Sequence, residues 1–287
     1  MNPKLADPNY DADDLIDGYV QNIGVAGGKK GYLPGPTGSL FGIPFGSETS
    51  VLAYRKDIFE KHGIEVPTNY EQLLTVACQI PEVEPGMGGM ASRAASGHQA
   101  SHAFLLHLAP LGGRVFDDSW NPIINNEAGV GALNMMKSLS EYMNPDFLTH
   151  DSNATGAEWK AGNVALMNMW GSRAGAWNTD DGFSQELLDN TGLGAPMTVG
   201  GGSTPATTLW WDGWTVAKNI SDADAEATFK AMNAAINPSI LNEETSTQAV
   251  WLIDGYKPTP AADGVFAAAN MGSTPYPMVP FQGLLHT

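Results

Sequence analysis

Three tryptophans fall within five positions of the run TTLWWDGWTVAK: Trp210, Trp211 and Trp214, with Asp212 among them. An indole face suits a ligand that presents C–H groups between hydroxyls, because a sugar ring lies on the ring plane while a neighbouring carboxylate accepts its O–H bonds. Trp210 and Trp211 are adjacent, so in a strand they point to opposite faces; Trp214 shares a face with Trp210 unless Gly213 introduces a bulge. The same rings would serve as core, since tryptophan is highly buried in most proteins. A second aromatic group, Trp170 and Trp177, flanks the run GSRAG at the end of an expected strand. That is where α/β folds bind ligands, beyond the carboxyl ends of their strands. Arg173 lies in the same run, with a surface ion pair as its alternative role. Glu48, in FGSETS, sits between two expected strand runs, either on a loop facing a cleft or as a solvated turn acid.

Other chemistries find less support. His98 and His102 have the i, i+4 spacing of two zinc ligands on one helix face, but Gln99 stands where a zinc protease needs a glutamate. They read as polar or capping histidines. The chain has no G-x-S-x-G elbow, no P-loop and no G-x-G-x-x-G after a strand, so nucleophile, phosphate and dinucleotide chemistry lack their local signals. A carboxylate pair for glycoside hydrolysis is set by the fold, and with 31 acidic residues some pair always exists on paper. No metal and no cofactor is expected.

Composition sets the outer bounds. In 287 residues, 43% are hydrophobic and 16% charged, which fits a folded globular chain with room for two lobes or one large α/β domain. The formal net charge of −17 repels a phosphate backbone, and nucleic acid is not an expected partner. No stretch approaches the roughly 20 apolar residues that span a bilayer. Cys78 is the single cysteine, which excludes an intrachain disulfide and a cysteine-built metal site. The opening MNPKLADPNYDADDL lacks the basic and apolar regions of a signal peptide, so the chain is cytosolic or begins after an export signal.

The elements that must position these residues follow from periodicity. Phe41, Ile43 and Phe45 predict one strand and Val51 to Tyr54 a second. Lys56 to His62 predicts a helix stopped by Gly63. Thr68 and Glu71 read as a capping box for a helix burying Leu73, Leu74, Ala77 and Ile80. GHQASHAFLLHLAPLGG predicts a helix ended by Pro110 and the following glycines. NNEAGVGALNMMKSLSEYM predicts another that buries Val130, Leu133, Met136 and Leu139. A short helix, a buried strand from Val164 to Met169 and a glycine-rich turn come next. Ser221 and Asp224 then repeat the capping-box pattern. Helices alternating with single strands predict an α/β protein.

The run GSLFGIPFGSETSVLAYRKDIFEKHGIEVPTNYEQLL resembles the extracellular solute-binding proteins of sugar ABC transporters, the family that includes maltose-binding protein. WKAGNVALMNMW and WDGWTVAKNISDADAEATFKAMNAAI resemble two further segments of that family, in the same order. The resemblance implies a periplasmic-binding-protein type II fold, α/β, with two lobes, a hinge and a ligand in the interlobe cleft. It implies domains at 1–110 (the remainder of the N-terminal lobe), 111–215 (mainly the C-terminal lobe) and 216–287 (return segments). It also implies that a first βαβ portion of the N-terminal lobe and some C-terminal helices are missing. The implied function is reversible binding of a sugar, glycoside or polyol and its delivery, by a periplasmic or extracellular monomer, to membrane permease subunits. A glycosidase or lyase is the alternative. The expected ligand-binding set is Trp211, Asp212, Trp170, Glu48, Arg173, Trp210, Phe45 and Arg93. Replacing Trp211 with Ala is expected to weaken sugar binding while leaving Tm nearly unchanged; a large loss of stability with binding intact would make it a core residue.

Overall fold

The computed structural model describes residues 25–26, 39–40, 43–117, 119, 121–177, 182–194, 197–198 and 208–235, with the backbone alone for strand residues up to 49 and for 172, 175–176, 209–213 and 235. Two short antiparallel strands come first, β1 (Val25–Ala26) and β2 (Ser39–Leu40). β3 (Ile43–Arg55) then runs unbroken for 13 residues. Two separate strands were expected here, and Glu48 was expected on the loop between them. Instead the polar run from Ser47 to Ser50 is strand, because its pairing partners override its weak intrinsic preference.

The remaining elements are α1 (Lys56–His62), α2 (Tyr70–Val83), α3 (His98–Leu108), α4 (Glu127–Ser140), α5 (Ser152–Lys160), β4 (Leu166–Trp170), α6 (Gly171–Ala176), α7 (Gln185–Asp189), β5 (Thr191–Gly194), β6 (Leu209–Trp214) and α8 (Asp222–Ala235). β3 is the centre of a four-stranded sheet: β4 and β5 flank it antiparallel and β6 also pairs with it. The chain divides into two compact units, Met1–Glu48 with Leu209–Thr287, and Thr49–Thr208.

Within the Thr49–Thr208 unit the sheet is covered on both faces, and the two-residue period of its strands sorts the core. Leu52 and Leu166 join Ile58, Phe59, Leu73, Ala77, Ile80 and Leu139 on one side. Val51, Ala53, Met167 and Met169 join Trp159, Ala174, Trp177 and Leu187 on the other. Trp159 is fully buried and its ring stacks on Trp177 at 5.8 Å. Truncating such a ring to alanine costs about 3–5 kcal/mol.

Local rules account for most helix ends. Gly63 takes φ 62° and its N–H caps α1, the left-handed geometry expected of it. The cap of α2 falls one residue later than expected: Asn69 Oδ1 accepts from the Gln72 N–H at 2.8 Å, while the Thr68 N–H and hydroxyl donate to Gln72 Oε1. Ser221 Oγ caps α8 through the Asp224 N–H at 3.2 Å, as expected. Two expectations fail. The glycine-rich turn after β4 is the helix α6, anchored by buried Ala174 and Trp177. On α4, Val130 and Leu133 are 51% and 58% exposed. Leu139 is buried as expected, but the rest of the buried face is Gly129 and Ala132; a Cβ at Gly129 would fall on the carbonyl oxygen of Ile124, just before the helix.

His107 on α3 is 7% exposed and lies against Tyr70, whose hydroxyl donates to the Leu106 carbonyl at 2.6 Å. Burial pushes the His107 imidazole down to about 4. As pH falls from about 6.5 towards 4, the unfolded chain therefore takes up a proton that the native ring refuses, and stability drops. The full loss is on the order of 3 kcal/mol, complete by about pH 4. Equilibrium unfolding across pH 4–7 should show this slope in the wild type and a flatter one in His107→Leu; equal slopes would mean that the native ring takes up its proton as readily as the unfolded chain does.

Candidate functional site

The segment Gly88–Ala91 runs parallel to β4: Gly88 bridges Val164, Ala91 bridges Met167, and the Ala91 N–H donates to the Leu166 carbonyl at 2.9 Å. Both lines of chain end at the same edge, where Arg93 and Trp170 follow. Across the antiparallel ladder Ser50 of β3 is the register partner of Trp170. Two helix N-termini meet this edge. The Ala94 and Ala95 N–H groups donate to the His150 carbonyl just before α5, and Ser152 Oγ donates to Gln99 Oε1 of α3 at 3.4 Å. Asp151 caps α5, accepting from the Asn153 and Ala154 N–H groups at 2.9 Å each.

Arg93 is 1% exposed. Its Nη2 donates to Ser50 Oγ at 3.0 Å and its Cζ lies 4.2 Å from the centre of the Trp170 ring, a cation–π contact. Ser50 Oγ is bonded in turn to Thr208 Oγ1 at 2.8 Å. His102 meets Trp170 edge-on, 5.1 Å between ring centres and 89° between planes, with His98 6.0 Å beyond it. Burial first, and then the charges of Arg93 and His98, push the His102 imidazole below its usual value, so it is a neutral ring at pH 7. Trp170 itself is 7% exposed.

Beside this cluster opens a pocket of about 300 Å³, lined by Ser152, Asn153, Gly156, Ala157 and Lys160 of α5, with Arg173, Trp177 and Phe183. Arg173 is exposed at its rim. The Lys160 ammonium lies 5.3 Å from the Phe183 ring centre, and the Phe183 ring stacks on Trp177 at 5.5 Å. Hydrogen bonding from the Ala154 N–H above all, then from Asn153, together with the charge of Arg173, holds the carboxyl of exposed Asp151 below the usual range. The pocket thus offers aromatic edges, two cationic donors, a hydroxyl and an amide. That set can grip a polyhydroxylated molecule by its C–H and O–H groups.

Of the residues singled out from sequence, the structure brings Trp170 and Arg93 into contact and sets Arg173 on the pocket rim. Phe45 and Glu48 belong to β3, and Trp210, Trp211 and Asp212 to β6; their side chains lie outside the described residues. Sequence reasoning passed over Ser152, Asn153, Lys160 and Phe183. Only the capping pattern at Asp151 could have marked the start of the helix that carries three of them. Among the described residues no group of three or more His, Cys, Asp or Glu could hold a metal ion, and no helix is long and apolar enough to cross a membrane.

Residues 2–240 match the bacterial extracellular solute-binding protein family. The chain belongs to that family. A mannitol-binding protein of Pseudomonas aeruginosa is 28% identical over 224 residues, which is 76% of this chain and 48% of that protein. The chain therefore spans about half the length of that curated relative. An ABC transporter solute-binding protein of Agrobacterium vitis, solved with bound D-mannitol, superposes with a TM-score of 0.74 at 21% identity, covering 98% of this chain and 64% of that one. Another from Agrobacterium radiobacter, in complex with ribitol, gives 0.72 at 21% identity over 92% of this chain and 63% of its own. These likenesses show the fold: the chain has the type II periplasmic-binding-protein architecture expected from its sequence.

Proposed function

We propose that the chain is the substrate-binding part of an ABC importer, holding a sugar or polyol reversibly at the strand ends of its Thr49–Thr208 unit and delivering it to membrane permease subunits. The observation that carries this reading is the pocket beside Trp170, where Arg173, Lys160, Asn153 and Ser152 surround the edges of Trp177 and Phe183 in a solute-binding fold. Its volume of about 300 Å³ lies at the small end of ligand pockets and suits a single sugar or alditol. The relatives with mannitol and ribitol in their names support a polyol. Arg173 contacts the ligand's hydroxyls, Trp211, Asp212, Trp210, Trp170, Glu48 and Phe45 complete the proposed set, and Arg93, 1% exposed and packed on Trp170, supports the site from within. The protein acts as a monomer on the extracytoplasmic side, attached to the membrane through its transporter.

Binding rather than catalysis is supported by the carboxylates. Among the described residues no Asp or Glu is buried, and those whose pKa moves, Asp57, Glu84 and Asp151, all move down. A glycosidase needs one carboxyl held protonated, which takes the opposite shift. Ligand capture then works by population: the molecule favours whichever conformation gives it more contacts, and no bond is broken.

A thermal-shift panel of D-mannitol, ribitol, other alditols, monosaccharides and disaccharides tests this. At 100 times Kd a ligand should stabilise the protein by about 2.7 kcal/mol, a shift of several degrees in Tm. Arg173→Ala should weaken the best ligand by about tenfold with the free protein's Tm unchanged, since the side chain is exposed. Release of reducing sugar from glycosides, or no shift with any member of the panel, would refute the reading.

A further inference from the structure

Arg93 lies too deep to act as an ordinary surface contact. It is 1% exposed, and burying a guanidinium costs several kcal/mol unless its surroundings are arranged to hold it. Its surroundings here are unusual in one respect: they include both points at which the chain passes into and out of the compact unit Thr49–Thr208. Ser50 is the second residue of that unit and Thr208 its last. Their hydroxyls are bonded at 2.8 Å, and the Ser50 N–H donates to the Thr208 carbonyl at 3.4 Å. Arg93 Nη2 donates to that same Ser50 oxygen at 3.0 Å, while the guanidinium plane covers Trp170 at 4.2 Å. Trp170 is the ladder partner of Ser50 and the residue from which α6 starts, and α6 carries Arg173 to the pocket rim.

We infer that Arg93 is a positioning residue: it clamps the two crossing points of the chain to each other and to Trp170, and so sets the geometry of the ligand site without touching the ligand. The planar, multi-donor guanidinium can do this because it bonds sideways to Ser50 while its face rests on an indole. A lysine ammonium keeps the charge but cannot hold both directions at once. The effect on ligand affinity rests on the proposed function; the effect on the crossings does not.

The test uses the full chain with Arg93→Lys, Ser50→Ala, Thr208→Val and the double variant Arg93→Lys/Ser50→Ala. In the ligand-free protein, amide hydrogen exchange at Ser50 to Leu52 and at Trp170 should speed up by about tenfold in each single variant, with the amides of α2 unchanged. With D-mannitol, or the best ligand of the panel if that differs, each single variant should bind about tenfold more weakly. The double variant should bind no worse than the weaker single, because both remove one clamp. Unchanged exchange at Ser50 overturns the inference, as does a uniform rise across the whole unit, which would make Arg93 a general core residue. Additive losses of affinity overturn it too, since they would mean that Arg93 meets the ligand directly. If Arg93→Lys does not fold, Ser50→Ala and Thr208→Val decide through the same exchange readout. A wild type that binds no sugar or polyol defeats the proposed function, and the exchange result still decides the clamp.

Discussion

A buried cation loses its hydration, and the surroundings must replace it with oriented dipoles and π density. Arg93 imposes that requirement on the Thr49–Thr208 unit. The Ser50 hydroxyl must lie within hydrogen-bond reach on one side and the Trp170 ring must lie flat on another. Those two demands tie the position of β3 to that of β4 at the edge where their ladder ends. Burial first, and then the positive charge of the guanidinium, hold the neighbouring His102 imidazole below its usual value. The strand edge is therefore tied together by oriented side-chain contacts, and is polar without carrying a buried carboxylate among the described residues.

Around that edge the unit is assembled by ordinary means. The sheet buries both faces, one against α1, α2 and α4 and the other against α5, α6 and α7. The carboxyl ends of β4 and of the Gly88–Ala91 segment point the same way, and the N-termini of α3 and α5 are pinned there by the His150 carbonyl and the Ser152–Gln99 bond. Placing backbone N–H groups and short polar side chains where strands end is the general reason α/β folds bind ligands at that edge. The stack of Trp159, Trp177 and Phe183 supplies the apolar wall beside it.

Much of this was legible in the sequence where a local rule decides the outcome. Gly63 ends α1 because its left-handed φ suits glycine, and Ser221 caps α8 because its hydroxyl reaches the Asp224 N–H. β4 was legible as an apolar run because both its faces are covered. What failed to show was decided by steric and pairing detail that periodicity does not weigh. A helical wheel weighs Val130 and Leu133 by size, whereas α4 buries Gly129 against the Ile124 carbonyl just before the helix, which leaves no space for a side chain. Polar FGSETS continues β3, which pairs with three other strands and whose Ser50 is the register partner of Trp170. The pocket residues Ser152, Asn153, Lys160 and Phe183 form no motif, and only the packing of α5 against the end of β4 brings them beside Arg173. Arg93 stood in the set expected from the sequence, yet its sequence context says nothing of its depth.

The claim beneath all of this is that the strand ends of the Thr49–Thr208 unit recognise a polyhydroxylated molecule. Two-dimensional NMR of backbone amides and arginine side chains during a D-mannitol titration measures it most directly. The account predicts saturable shifts at Ser152, Asn153, Gly171 and Arg173, with the amides of α2 still. Shifts absent at every concentration, or confined to the exposed face of α4 around Val130 and Leu133, would contradict it.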